Sequence, residues 1–189
     1  MDKRLAYLKK LGATNLGHWN GDLISHLQST SALLADWGAP QYLQDAGLFH
    51  AVYGTDGYPE TLLDADARRQ IVDIIGGRAE QVVYAYGACD RDYLYPQLGK
   101  TPGKADEVTF RDRFNGEIQP LSGRLLEDIC ELTVANELDL ASGSAKFRLK
   151  HGAKRYRFFH QISTYLSPAA LRATDEILGE YAEAELAGA

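Results

Sequence analysis

The chain contains 189 residues, of which 45% are apolar and 24% are charged, and its formal net charge is −6. This composition indicates one globular domain, and the acidic balance, with lysines and arginines scattered along the chain, argues against general nucleic-acid binding through phosphate neutralisation. The polar N-terminal sequence and the lack of any run of roughly 18 apolar residues predict neither a secretory signal nor a membrane span, so we expect a cytoplasmic protein without a membrane partner.

Helical spacing dominates the first third of the chain. Leucines recur at helical spacing over residues 3–11, which predicts a short first helix. Residues 22–37 carry an apolar stripe that includes His26, so we expect this histidine to face the core. A third helix, apolar on much of its surface, is predicted over residues 41–53, and His50 lies near its end.

A turn-rich loop, GTDGYPETLL, follows the third helix, and loops attached to a buried helix commonly carry binding residues. Two short helices are predicted after it, one beginning at Leu63 or Asp64 and one over residues 78–89. Residues 90–123 contain many turn residues and indicate an insertion. Within it, EVTFRDRF and GEIQPLS predict a small β-hairpin around Asn115-Gly116.

The C-terminal part is again helical. A long helix is predicted over residues 123–141, with Ser122 as its N-cap and Asn136 as a polar residue on its apolar face. Residues 145–159 are basic and aromatic, a pattern typical of a solvated amphipathic face and also of a binding surface for a phosphate, carboxylate or nucleotide. The last helix is predicted to begin at Ser167-Pro168. The fold class is therefore all-α.

His26 and His50 are the best lead to function. Two histidines on successive helices, each with apolar neighbours at helical spacing, can point into one cleft and share a metal ion or a substrate. His18 precedes His26 in an adjoining loop and is close enough to fold over the same cleft. A histidine on an apolar helical face is also commonly a core residue with satisfied hydrogen bonds, so both interpretations stay open.

The order of these phrases resembles the HD-domain superfamily of helical metal-dependent phosphohydrolases. The counterparts are His26 on an early helix, GLFHA around His50, GGRAEQVVYAYG, and ANELD with Asn136. The nearest likeness in the middle of the chain is to the hydrolase domain of the guanosine tetraphosphate enzymes, which carry LLHD and ADRLHN phrases. AGLFHAVYGT is closer still to a group of HD-like proteins with GLFHSxYGT.

The resemblance covers about residues 15–140 of the sequence. It implies a single HD-like helical bundle over residues 1–189, with a small loop and β-hairpin insertion around 90–123 and C-terminal helices over 145–186. HD enzymes bind a divalent metal through two histidines and two aspartates, and a metal-bound water attacks the phosphoester. In this chain Ala51 and Asn136 stand at the two aspartate positions.

The two remaining imidazoles suit Zn²⁺, Fe²⁺ or Ni²⁺ better than Mg²⁺ or Mn²⁺. With a third histidine and one carboxylate, either Glu137 or Asp139, they match catalytic zinc or non-haem iron ligation. The expected metal set is His18, His26, His50 and Asp139. A chain that binds no metal is the alternative.

The expected cleft also contains residues that contact a substrate or transfer protons. Asp56, in the loop after His50, is the candidate general base, and His50 is the second catalytic candidate. The candidate substrate-binding residues are His18, Tyr53, Thr55, Tyr58 and Asn136.

Three functional hypotheses follow. The first is a small-molecule enzyme with an HD-like cleft, metal-dependent through its histidines, with hydrolase, lyase or oxygenase chemistry unresolved. The second is a degenerate HD module that binds a small molecule or another protein without turnover. The third is metal-free catalysis by a histidine and a carboxylate such as His50 and Asp56. A homodimer is compatible with each of them.

Overall fold

The computed structural model describes residues 2–18, 21–99 and 108–187. These residues are mostly helical, and the all-α fold class is confirmed. The helices are α1 (Lys3–Lys10), α2 (Leu23–Asp36), α3 (Gln41–Phe49), α4 (Arg68–Ile75), α5 (Gly77–Ala88), α6 (Arg91–Leu94), α7 (Gly123–Gly143), α8 (Ala145–Gln161) and α9 (Pro168–Ala187). Two short antiparallel pairs accompany them: β1 (Gly17–His18) with β2 (Gly21–Asp22), and β3 (Val108–Arg111) with β4 (Ile118–Leu121).

Helix α7 runs through the centre of the bundle. Every residue from Asp128 to Leu138 is buried, because α2, α3, α5, α8 and α9 all pack against this helix. Helices α8 and α9 also pack closely on each other, and α2 packs on α3. The buried apolar residues form one continuous cluster that extends from Leu8 to Leu178. Among the described residues, no helix is both long and apolar enough to cross a membrane.

Helix α3 ends earlier than its apolar pattern predicts. The prediction that it continues to Tyr53 is wrong, because the helix ends at Phe49 and His50 is its C-cap. The next residues form tight turns, in which the Val52 N–H donates to the Phe49 carbonyl at 2.9 Å. The Val52 carbonyl accepts the N–H groups of Leu62 and Leu63, so the returning loop takes the place of the next helical turn.

The hairpin prediction is confirmed, but the turn differs. Arg111 pairs with Ile118 as the last register pair, so the connection is longer than the predicted two-residue turn. The Asp112 carboxylate accepts the Phe114 N–H at 2.8 Å, and the Asp112 carbonyl accepts the Gly116 N–H at 2.7 Å. The side chain of Asp112 thus stabilises a wider turn. The part of the insertion at residues 100–107 lies outside the described residues.

Two serines predicted as N-caps have different roles. Ser167 Oγ accepts the Ala170 N–H at 3.1 Å and donates to the Glu131 carboxylate, so it both caps α9 and joins it to α7. Ser122 occupies the N-cap position of α7, but its side chain makes no capping hydrogen bond. The predicted side-chain cap at Ser122 is therefore wrong, because α7 begins without it.

We expect Ser167→Ala to lower the free energy of unfolding by about 1 to 2 kcal/mol, because it removes the cap of α9 and a hydrogen bond to the buried Glu131. Ser122→Ala is the matched control and should change it by less than about 0.5 kcal/mol. Urea denaturation of both variants measures the difference. Equal effects would show that the Ser167 hydroxyl does not stabilise α9.

Candidate functional site

His26 and His50 lie side by side in the interior. Their ring centroids are 5.1 Å apart with the planes nearly perpendicular, and the two residues are only 5% and 2% exposed. Helices α2 and α3 can approach this closely because Gly47 faces α2, where a Cβ would lie 3.3 Å from the Ser31 Cα. The predicted juxtaposition of the two histidines is therefore present.

Helix α7 holds His26 from both ring nitrogens. Nδ1 lies 2.6 Å from the Asp139 carboxylate, and Nε2 lies 3.0 Å from Asn136 Oδ1. Since an ionised carboxylate only accepts, Nδ1 donates. The Asn136 amide can offer its oxygen or, after a rotation of 180°, its NH₂ group, so it can serve either protonation state of Nε2. Asp139 and Asn136 thus fix the orientation of the ring.

His50 is held by the backbone of its own helix. Its Nδ1 lies 2.7 Å from the Gly47 carbonyl oxygen, which can only accept, so Nδ1 donates there. A neutral His50 therefore carries its lone pair on Nε2. The edge of the ring meets Tyr86, with the centroids 5.6 Å apart, and burial raises the pKa of Tyr86 to about 12.

His50 borders a cavity of about 200 Å³ between the loop after α3 and helices α6, α7 and α8. We call it the histidine cavity. Among the residues predicted to contact substrate, Thr55, Tyr58 and Asn136 border it as well. Its other polar walls are Arg91 and His151, to which the sequence assigned no role, Glu137, the alternative carboxylate ligand, and Arg155 from the basic stretch.

Arg91, Glu137 and Arg155 form the charged side of this cavity. Glu137 Oε2 lies 2.9 Å from Arg155 Nε, and Glu137 Oε1 lies 3.9 Å from Arg91 Nη1. Arg91 also donates to the Tyr86 hydroxyl at 3.1 Å. Burial alone would lower the pKa of Arg91, but the Coulombic effect of Tyr86 and the acidic groups around it raises the pKa above its ordinary value. Arg91 is therefore a cation.

A second cavity, of about 580 Å³, adjoins the first and shares Gly57, Arg91 and Arg155 with it. We call it the outer cavity. Its walls include Lys154 and Arg157, the acidic residues Asp56 and Asp92, and the paired rings of Tyr95 and Phe158, whose centroids are 4.6 Å apart. An apolar wall and several cations thus lie next to the histidine cavity.

Four predicted site residues do not border the histidine cavity: His26 and Asp139, which line another pocket of about 340 Å³, and Tyr53 and Asp56. Tyr53 is buried and its hydroxyl donates to Glu80 at 3.1 Å, so it does not border the histidine cavity. Asp56 is exposed and lines the outer cavity, and its carboxylate accepts the backbone N–H of Arg91 at 3.3 Å. Asp139 does contact a histidine of the site, His26, whereas the structure does not bring Asp56 to the wall that His50 forms.

The side chain of His18 lies outside the described residues, although its backbone pairs with Gly21 in the β1–β2 ribbon. The Tyr58 hydroxyl donates to the carbonyl of the preceding residue, Gly17, at 3.1 Å. The backbone beside His18 is therefore in contact with a residue of the histidine cavity.

The described side chains do not by themselves fit a divalent metal. No group of three or more His, Cys, Asp or Glu residues is arranged around one point in the part of the chain that the structure describes. His26 contacts both His50 and Asn136, but Asp139 contacts His26 through Nδ1, the ring nitrogen that does not face Asn136. A third histidine or carboxylate donor would have to come from outside the described side chains, as the predicted ligand His18 would.

The sequence missed the two arginines for different reasons. Arg155 belongs to the basic stretch of α8, which predicted an anion site as one of two interpretations. Arg91 lies at the start of the insertion, where no motif marked it. The only available signal was the concentration of basic residues in α8.

A protein-family model described as a domain of unknown function, DUF6817, matches residues 7–91. The matched segment, less than half of the chain, contains helices α2 to α5 together with His26, His50, Thr55 and Tyr58. It stops before α7 and α8, which supply Asn136, Glu137 and Arg155. Searches of curated proteins and of solved structures found no match.

Proposed function

We propose that the protein is a small-molecule enzyme in which His50 transfers protons to and from a substrate in the histidine cavity. One observation carries the proposal: His50 borders the cavity with its Nδ1 fixed by the Gly47 carbonyl, so a neutral ring has its basic nitrogen at Nε2. Histidine exchanges protons near neutral pH, and a positioned acid or base typically contributes about 10² to 10⁴ in rate.

The polar residues around His50 suit this role. Asn136 and Thr55 can orient a polar substrate, while the Asp139–His26 pair fixes the ring against which His50 packs. At about 200 Å³ the cavity is small compared with the roughly 300 to 1,000 Å³ of typical ligand pockets. The substrate is therefore small, or only its reacting end enters. Hydrolysis and elimination both fit acid–base chemistry of this kind.

His26, His50 and Asn136 stand at the positions that correspond to HD-domain ligands, and His26 contacts the other two. This contact supports an HD-like arrangement of the site. A metal-dependent form of the enzyme requires a third donor, which His18 would supply. Metal analysis of protein purified without chelators tests this form. A stoichiometric transition metal that is lost in His26→Ala and His50→Ala would support it, and protein without metal would leave the acid–base form.

Replacement of His50 by glutamine tests the proposed catalysis. Turnover of a substrate found by screening small esters, phosphoesters and hydroxy acids should fall at least about 100-fold. His160→Gln is the matched control, because it is the same substitution on the exposed face of α8, where His160 contacts Asp175 at 2.9 Å. Its turnover should be unchanged. Equal turnover by His50→Gln and the native chain would contradict the proposal.

A binding module without turnover is the second candidate. The observation that favours it is the engagement of both His26 nitrogens by Asp139 and Asn136, in a site where the resemblance puts Ala51 at one of the two metal-binding aspartate positions. In that case a small molecule would bind the native chain and His50→Gln with similar affinity, and neither would convert it.

A further inference from the structure

The junction of the two cavities contains one carboxylate between two guanidinium groups. Arg91 and Arg155 border both cavities, and Glu137 borders the histidine cavity between them. The side chain of Glu137 is 6% exposed, whereas the side chains of Arg91 and Arg155 are 15% and 26% exposed. The two cations are therefore reachable from the cavities, although their carboxylate partner is buried.

The ion pairs at this junction are poorly aligned. Glu137 Oε2 and Arg155 Nε are both buried and lie 2.9 Å apart, yet neither atom makes a hydrogen bond of acceptable geometry. The contact from Arg91 to Glu137, at 3.9 Å, is too long for a hydrogen bond. Elsewhere the same fold aligns an arginine fully: Arg68 donates to both oxygens of Glu80, at 2.7 and 2.8 Å.

The charge around the junction is positive in a chain whose net charge is negative. Arg91, Lys154, Arg155 and Arg157 line the outer cavity, against the carboxylates of Asp56 and Asp92. Glu137 is the one carboxylate among the described residues that line the histidine cavity with the two arginines. A second anionic group would be attracted to this point, where partial burial strengthens its interaction with the arginines.

We propose that Arg91 and Arg155 together bind an anionic group, either a phosphate or a carboxylate, of the small molecule that occupies the cavities. Glu137 holds the two arginines in place when no such anion is bound. Guanidinium groups recognise both anions through paired N–H donors. This inference rests on the proposed function, which assigns the histidine cavity as a small-molecule site, but it concerns binding alone and requires no turnover.

The position of Arg91 is set before any anion binds. Its Nη2 donates to the buried Tyr86 hydroxyl, and its Nη1 passes so close to Gly57 that a Cβ there would lie 3.1 Å away. A guanidinium fixed in this way loses little conformational freedom on binding. Beyond the arginines, the rings of Tyr95 and Phe158 provide an apolar wall for the body of the ligand.

Titration calorimetry with orthophosphate and, separately, succinate tests the proposal at constant ionic strength set by sodium chloride. Arg155→Gln should weaken binding of the preferred anion at least tenfold. Glu137→Gln should strengthen it at least threefold, because the competing carboxylate charge is removed. The control is Lys150→Gln, an equal change of charge at an exposed position of α8 that borders neither cavity, and it should leave the affinity unchanged.

Tighter binding of orthophosphate would assign a phosphate-bearing ligand, and tighter binding of succinate a carboxylate-bearing one. If Glu137→Gln does not fold, Arg155→Lys provides the second variant, since it keeps the charge but loses the paired donors and should still weaken binding at least fivefold. Absence of binding of both anions, or equal losses in Arg155→Gln and Lys150→Gln, would overturn the inference. His50→Gln should retain anion binding, so failure of the proposed catalysis is distinguishable from failure of the anion site.

Discussion

Glu80→Ala is expected to lower the free energy of unfolding by about 3 kcal/mol. The Glu80 carboxylate is 3% exposed and accepts hydrogen bonds from Arg68 Nε and Nη2 and from the Tyr53 hydroxyl, at 2.7, 2.8 and 3.1 Å. Without it, the buried Tyr53 hydroxyl loses its acceptor. Arg68 is 40% exposed and can turn towards water, which keeps the expected loss at the lower end for a broken buried ion pair.

Urea denaturation of Glu80→Ala, with Glu127→Ala as the control, measures this effect. Glu127 also pairs with an arginine, Arg124 at 3.2 Å, but it is 46% exposed, so its loss should cost less than about 0.5 kcal/mol. Tyr53→Phe should cost about 1 kcal/mol, because it removes one hydrogen bond and keeps the ring. If Glu80→Ala is no more destabilising than Glu127→Ala, Glu80 does not hold α4 and α5 together.

The same network explains why Tyr53 does not lie at the predicted substrate site. The prediction extended α3 through Tyr53, but the chain leaves the helix at Phe49, and the following turns direct the Tyr53 hydroxyl to Glu80 on α5. The end of α3 depends on hydrogen bonds from Leu62 and Leu63 to the Val52 carbonyl. The spacing of apolar residues does not depend on such contacts with a later segment, so helix ends are hard to predict from that spacing.

The placement of His26 was predictable because it depends on the helix alone. A residue in the apolar stripe of an amphipathic helix faces the core, and α2 follows that rule, as does Asn136 on α7. Arg91 and Arg155 follow no stripe. They meet Glu137 only because α6 and α8 approach α7, and ion pairs that form between distant segments have no sequence spacing to reveal them. The placement of the histidines was therefore accessible to sequence reasoning, whereas the meeting of Arg91, Arg155 and Glu137 in one cavity was not.

The close approach of α5 to the loop after α3 gives the second large expected effect, at Gly87. A Cβ at this position would lie 2.9 Å from the Gly54 carbonyl oxygen and 3.5 Å from the Tyr53 Cβ. The first contact is with backbone, so a side-chain rotation cannot relieve it. Gly87→Ala should lower the free energy of unfolding by about 2 kcal/mol, even though the intrinsic helix propensity of alanine is better than that of glycine by about 1 kcal/mol.

Gly179→Ala on α9 is the matched control, because a Cβ there would meet no atom within 4 Å. It should raise the free energy of unfolding by about 0.5 to 1 kcal/mol, so the two glycine substitutions are expected to differ in sign. In Gly87→Ala the loop must shift at Gly54, next to Thr55 and Gly57 of the histidine cavity, so anion binding should weaken as stability falls. Stabilisation by both substitutions in urea denaturation would mean that α5 does not support the loop that forms the cavity wall.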